Sequence, residues 1–362
     1  MRFVSRKTGV AAAMLGISAL ALSACGAAPE EGGASADNSD YTGCIVSDSG
    51  GFDDQSFNES SYRGLKKTEE DLGIKTREAE SKANSDYATN LQGMMNAGCD
   101  LTLTIGFLLG DATKDAAASN PDKHFATIDN QFDEVIDNIK PIIYDTAQAA
   151  FLAGYAAAAT TETGTVATFG GQKIPTVTIF MDGFADGVAK YNKDKGKNVK
   201  LLGWDKAKQD GTFTGDFEKQ DKGKQVTSNF ISSGADIIMP VAGPVGLGAG
   251  AAVMDARKAG DDIKLVWVDS DGYLTAPDYK EAMLTSVIKT MDEAVEQVVS
   301  DDIDGNWDPT PYVGTLENKG VALAPFHDYD SKVSEETKNE LKALEDQIVS
   351  GDLKVESASS PK

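Results

Sequence analysis

Cys44-Ile45-Val46-Ser47-Asp48-Ser49-Gly50-Gly51-Phe52-Asp53-Asp54-Gln55-Ser56-Phe57-Asn58 is the stretch on which the fold turns. Residues 44–47 form a short strand-like run, and a helical pattern covers 56–72. A strand that passes through a glycine turn straight into a helix opens a β-α-β unit. Gly50 and Gly51 permit the tight backbone turn. Asp53, Asp54 or Ser56 can cap the helix. Phe57, at the helix start, is expected to face a cleft rather than the core. Two glycines, three acids and an aromatic ring at a strand's carboxyl end mark a candidate site. The plainer alternative is a capped turn with a packed phenylalanine.

The same alternation continues outward. Strand-like runs are predicted at 44–47, 74–79, 100–105, 124–129, 141–144, 164–169, 199–203, 235–241, 264–269, 284–288, 312–315 and 320–323. Helices fit between them at 56–72, 84–97, 111–119, 146–161, 175–194, 221–233, 246–259 and 289–301. Strands alternating with helices imply parallel sheets covered on both faces. There are too many strands for one comfortable sheet. The expected fold class is therefore α/β with two doubly wound lobes joined by a hinge. Asp145 begins a helix after the fifth strand, a natural crossing point. The expected boundaries are 43–147 plus 289–308 for lobe I, 148–288 plus 309–350 for lobe II, and 351–362 as the tail, frayed from Val355 to Lys362. Ligands of such folds sit beyond the carboxyl ends of the strands, where two lobes can share one cleft.

The chain has 362 residues, with 34 basic against 57 acidic side chains and a formal net charge of −23. Residues 1–24 hold Arg2, Arg6 and Lys7 and no acid, so the remainder carries −26. Such a surface argues against nucleic-acid binding, which needs a basic footprint. It argues equally against docking on anionic lipid through charge. With two histidines, His124 and His327, and three cysteines, the chain cannot build a structural zinc cluster of the usual kind. Ser-His and Cys-His catalysis are poorly supported for the same reason. No metal or other cofactor is expected.

Three positive charges precede an apolar run from Val10 to Leu22, too short to span a bilayer as a mature helix. It fits the apolar core of a secretory signal, 1–24. Leu22-Ser23-Ala24-Cys25-Gly26 follows at once and matches the lipobox of bacterial lipoproteins, which implies cleavage before Cys25 and acylation there. Residues 25–42 are expected to be a flexible tether, polar and Gly/Ala/Ser-rich over most of their length. The expected location is the outer face of the cytoplasmic membrane, held by lipid. Export permits a disulfide. Cys44 opens one strand and Cys99 precedes another, so the two are either bonded across adjacent parallel strands or are buried free thiols.

Gly246-Leu247-Gly248-Ala249-Gly250-Ala251 is a rival signal. It fits the dinucleotide fingerprint, and Asp269 lies about 20 residues on as the ribose-binding acid would. Export, the late position beside Pro244, and the lack of accompanying hydride-transfer residues oppose an oxidoreductase. The physics of Asp269 still transfers, because a carboxylate at a strand end can accept two hydrogen bonds from a ribose diol. A second enzyme alternative is a nucleoside hydrolase holding Ca²⁺ through Asp48, Asp53 and Asp54. The small-residue runs 246–252 and Ala156–Ala159 are read as close helix packing.

The Asp48–Asn58 block resembles the Asp-Ser-Gly-x-x-Asp-Asp-x-Ser-Phe-Asn signature of the basic membrane protein family, nucleoside-binding lipoproteins of ABC importers with a type I periplasmic-binding fold. The resemblance continues through Gly106-Phe107, Phe125–Asp129, Ile174–Phe180 with Gly183-Phe184 and Gly187, Asp216–Lys224, Gly234–Ile238, Ala242–Gly248, Val268–Asp271 and Leu284–Lys289. It implies that Asp48 and Asp129 bond the base, that Phe57 and Phe217 stack on it, and that Gly243 and Lys289 contact the ribose beside Asp269. Phe213 rivals Phe217, and Glu218-Lys219 departs from the usual pair of residues there. The implied activity is capture of nucleosides, purines first, and delivery to a permease, by a monomer that is no enzyme. A sugar receptor on the same fold is the alternative.

Overall fold

The computed structural model describes residues 38–361. The signal segment, Cys25 and most of the tether lie outside the described residues. Thr42, placed in the tether, already belongs to the first strand.

The first part of the chain runs β1 (Thr42–Ser47), α1 (Phe57–Leu72), β2 (Lys75–Ala79), α2 (Tyr87–Asn96), β3 (Leu101–Ile105), α3 (Gly110–Ser119), β4 (His124–Ile128) and β5 (Ile139–Tyr144). Next come α4 (Thr146–Thr160), β6 (Thr165–Gly170), α5 (Pro175–Lys195), β7 (Lys200–Leu202) and a small hairpin, β8 (Trp204–Asp205) with β9 (Asp210–Gly211). They are followed by α6 (Gln220–Ser232), β10 (Ile237–Val241), α7 (Val245–Ala259), β11 (Lys264–Asp269), α8 (Gly272–Thr275) and β12 (Met283–Lys289). The chain closes with α9 (Met291–Ile303), β13 (Tyr312–Gly314), β14 (Val321–Leu323) and α10 (Glu335–Ser350).

Two six-stranded sheets result, in the orders β13-β5-β4-β3-β1-β2 and β14-β12-β11-β10-β6-β7. The first is parallel throughout, and only β14 runs against its neighbour in the second. All five residues of β3 and of β10 are buried, as strands covered on both faces require. The sheets are pseudo-repeats, so β4 and β11 hold the same place in their lobes. Cys44 in β1 and Cys99, just before the neighbouring β3, are joined as a disulfide with Cα atoms 6.0 Å apart.

Helices meet where side chains are missing. A Cβ on Gly154 would stand 2.1 Å from the Phe184 carbonyl, and one on Gly187 would stand 2.0 Å from that of Phe151, so α4 and α5 touch backbone to backbone. The fingerprint glycines serve the same end. A Cβ on Gly248 would stand 1.8 Å from the carbonyl of Gln220, which begins α6.

Three crossings link the lobes, at Asp145, at Lys289–Thr290 and between β13 and β14. They are bonded to one another: Asp145 N donates to Gly314 O at 2.8 Å, and Thr290 N donates to Gly320 O at 3.0 Å. This corrects the boundary expected at residue 309, because β13 extends the first sheet beside β5 and the third crossing lies after Gly314. A three-residue strand carries too little pattern to show its partner. The seat is specific, since a Cβ on Gly314 would come within 2.4 Å of the Tyr144 ring.

The tail is also corrected. Leu353 and Val355 pack on the core, and Ser357 Oγ donates to Asp182 Oδ2 at 2.6 Å. Asp182 is fully buried and also accepts from Trp204 Nε1 and Gln209 Nε2. The segment is thus held by a buried acid far away in sequence, which no apolar pattern within it could reveal.

Candidate functional site

The carboxyl ends of both sheets face one cleft. Asp48, Phe57, Asp129, Phe217, Gly243, Asp269 and Lys289, all seven ligand residues expected from sequence, line the same chamber.

Asp48 follows β1 and is 8% exposed. Asn58 Nδ2 donates to its Oδ1 at 3.3 Å, while Asn58 Oδ1 is buried without a partner. Gly106, with φ +115°, makes room: a Cβ there would lie 1.9 Å from Asp48 Oδ2. Burial pushes the Asp48 carboxyl well above the usual carboxylate range; the Asn58 hydrogen bond opposes this, and Asp54, Asp129 and Glu218 add to it. Among the three candidate caps, Asp54 caps α1, accepting from the backbone N–H of Ser56, Asn58 and Glu59 at 3.0, 2.8 and 3.0 Å. Burial still pushes its carboxyl up to about 7. Asp53 is exposed. The three acids of the block therefore do not converge on a calcium site, and among the described residues no group of His, Cys, Asp or Glu is arranged to hold a metal.

Asp129 and Asp269 occupy equivalent places at the ends of β4 and β11, and both take left-handed backbone, φ +63° and +69°. Left-handed aspartates are uncommon, and such strain concentrates at ligand sites. Lys289, 3% exposed, bridges them: Nζ lies 2.5 Å from Asp129 Oδ2 and 3.3 Å from Asp269 Oδ1. Burial alone would lower this ammonium, but the two carboxylates outweigh it and its pKa lies above the usual lysine value. Its Nζ also stands 4.9 Å from the Phe57 ring centre and 5.2 Å from that of Phe180, within cation–π range. Asp129, assigned to the base, is thus held by the lysine assigned to the sugar.

Adjacent glycines separate the two rival phenylalanines. A Cβ on Gly171 would stand 2.4 Å from the Phe217 ring, which lines the chamber. Gly170 seats Phe213, which packs edge-on against Trp204 and does not line it. Gly243 has φ +51°, and a Cβ there would meet only the Phe217 carbonyl oxygen, at 4.0 Å. The missing side chain therefore leaves open space beside the cleft.

The lobes are joined across the chamber. Ser56 Oγ donates to Val268 O at 3.0 Å and to Asp269 Oδ2 at 3.3 Å. In return Ser270 Oγ donates to Ser56 O at 2.9 Å, and Thr275 Oγ1 to Gln55 O at 2.9 Å. The chamber measures about 60 Å³. Small-molecule sites usually span about 300–1,000 Å³, so these contacts hold a tightly closed state. Asn58, Gly106, Phe180 and Ser56 were not singled out as ligand residues from sequence. All four stand within stretches that carried the family resemblance, but their tasks depend on distant partners.

Two sheets with their strand ends around one closed cleft make a two-lobed fold suited to enclosing a small solute. The chain belongs to the Bmp family, described as ABC transporter substrate-binding protein PnrA-like, which matches residues 42–359. It is 32% identical to the CD4+ T-cell-stimulating antigen of Listeria innocua, over 97% of this chain and 98% of that one. It is 31% identical to basic membrane protein A of Borreliella burgdorferi, over 85% and 86%. It is 28% identical to the ABC transporter nucleoside-binding protein BmpA of Lactococcus lactis, over 97% and 99%. A solute-binding protein of an ABC transporter system from Aeropyrum pernix shares the fold with TM-score 0.79 at 22% identity, covering 87% of this chain and 92% of that one. The chain is a substrate-binding protein of this family and not an enzyme.

Proposed function

We propose that the protein captures ribonucleosides, purines foremost, outside the cytoplasmic membrane and passes them to the permease of an ABC importer. A lipid on Cys25 would hold it there as a monomer. The observation that carries the ligand class is the pairing of Phe57 from one lobe with Phe217 from the other around one chamber. Two rings lining one chamber, one from each lobe, suit a flat base, and stacking contributes about 1–3 kcal/mol per base. The Asp48–Asn58 pair supplies acceptors for the N–H groups of the base. Asp269 accepts from the ribose diol, and Lys289 donates to sugar oxygens while balancing the two acids around it. The nucleoside-binding relative in Lactococcus lactis supports this reading.

Closure follows from the same parts. Ser56 and Asp269 meet across the cleft, so a ligand that seats Asp269 also favours the bonds from the Gln55–Ser56 loop to β11 and α8. Mass spectrometry of small molecules released by denaturing freshly purified protein tests the class. A nucleoside in the released fraction is the expected result; a free pentose or hexose would move the sugar-receptor alternative ahead.

A further inference from the structure

The seven ligand residues do not exhaust the space between the lobes. A second cavity of about 380 Å³ adjoins the first. The two share Phe107, Asp129, Thr176 and Lys289, so the lysine stands at their boundary. This second space alone reaches the size of small-molecule sites, which begin near about 300 Å³.

One wall is built by residues 358–361, from the segment expected to fray. It is fixed in place: Ser359 Oγ and Thr178 Oγ1 are 2.8 Å apart, Lys206 Nζ donates to Glu356 O at 2.5 Å, and Ser357 serves the buried Asp182. The facing wall, from the first crossing, includes Tyr144 and Thr146. Both are buried, and neither hydroxyl has a hydrogen-bond partner. Both oxygens are closed to solvent, so they offer an occupant of the cavity no hydrogen bond. Charge narrows the choice. Lys289 is already committed to Asp129 and Asp269, and Asp133 also lines the space, so an anion would meet net negative charge.

We propose that this cavity extends the ligand site and receives an uncharged group carried on the 5′ oxygen of a nucleoside. The position follows by elimination on the sugar. The base leaves from C1′ toward the two rings, and the 2′ and 3′ hydroxyls face Asp269, which leaves the 5′ arm to pass Lys289. The inference rests on the nucleoside reading of the first chamber.

The test is calorimetric titration of the purified protein with adenosine, guanosine and inosine, each beside its 5′-O-methyl derivative and its 5′-monophosphate. For any parent that binds, the methyl derivative should bind within about threefold, and the monophosphate should be weaker by about 100-fold or more. Ala358→Trp, which fills the cavity from its wall, should weaken the methyl derivative by about tenfold or more and leave the parent unchanged. Ala358→Leu should give a smaller loss of the same kind. Rejection of the methyl derivative by the wild type, tight binding of the monophosphate, or equal losses for parent and derivative in both variants would overturn the proposal. If no parent nucleoside binds, the nucleoside reading fails first; if parents bind and derivatives do not, only the second cavity is misassigned.

Discussion

Asp48 is the residue whose chemistry depends most on its surroundings. Its carboxyl is buried beside other acids and its pKa is raised, so in the free protein it takes up a proton more readily than an exposed aspartate. A base that donates N–H groups binds the ionised form best, through charge-assisted hydrogen bonds. Binding should therefore release a proton, and affinity should rise with pH through the raised pKa and then level off. Titrations in buffers of different ionisation heat detect that proton directly. Asp48→Asn should bind more weakly with a flattened profile; a wild-type affinity that ignores pH over the whole range in which the protein stays folded would remove Asp48 from the base. Phe57 and Asp269 were legible from the glycine turn and the strand-end acid, and the expected tasks of Asp48, Asp129, Phe217, Gly243 and Lys289 through the family resemblance. The link from Lys289 to both Asp129 and Asp269 was not, since it joins three strand ends 20 to 160 positions apart.

At the scale of elements, the disulfide and the cleft lie at opposite ends of the first sheet. Cys44 is near the start of β1, and Cys99 precedes β3, whereas Asp48 and Gly106 follow those strands. The bond closes a loop with a sequence separation of 55, for which the chain-entropy view gives about 4 kcal/mol and measured effects usually run about 2–4. Cys44→Ser with Cys99→Ser should lower unfolding stability by that order in urea melts while leaving nucleoside affinity unchanged. A large loss of affinity in folded protein would show that the far end of the sheet controls the cleft. Most strands and helices were legible from apolar runs and their helical alternates. Residues 335–350 were passed over although Leu341, Leu344 and Ile348 recur at helical spacing and are buried in α10. β13 was placed in the wrong lobe because its partner is chosen by Gly314 fitting under Tyr144, a contact between residues 170 positions apart.

For the whole molecule, the bonds from Gln55 and Ser56 to β11 and α8 can exist only with the lobes together. Hinge closure around a ligand is the motion this architecture permits. Small-angle scattering should show the ligand-free protein contract when nucleoside is added, and Ser270→Ala with Thr275→Ala should reduce that contraction. An unchanged radius at saturation would place the free protein in the closed state already. The central claim is that one ligand is held from both lobes at once, its base by Phe57 and its ribose by Asp269. Calorimetric titration with a ribonucleoside and its 2′,3′-dideoxy counterpart tests it most directly. Asp269→Ala should weaken the ribonucleoside by on the order of 2 kcal/mol, tens of fold, and the dideoxy compound much less. Phe57→Ala should weaken both alike. Equal losses for the two ligands in Asp269→Ala, or no binding of any nucleoside to the wild type, would contradict the account.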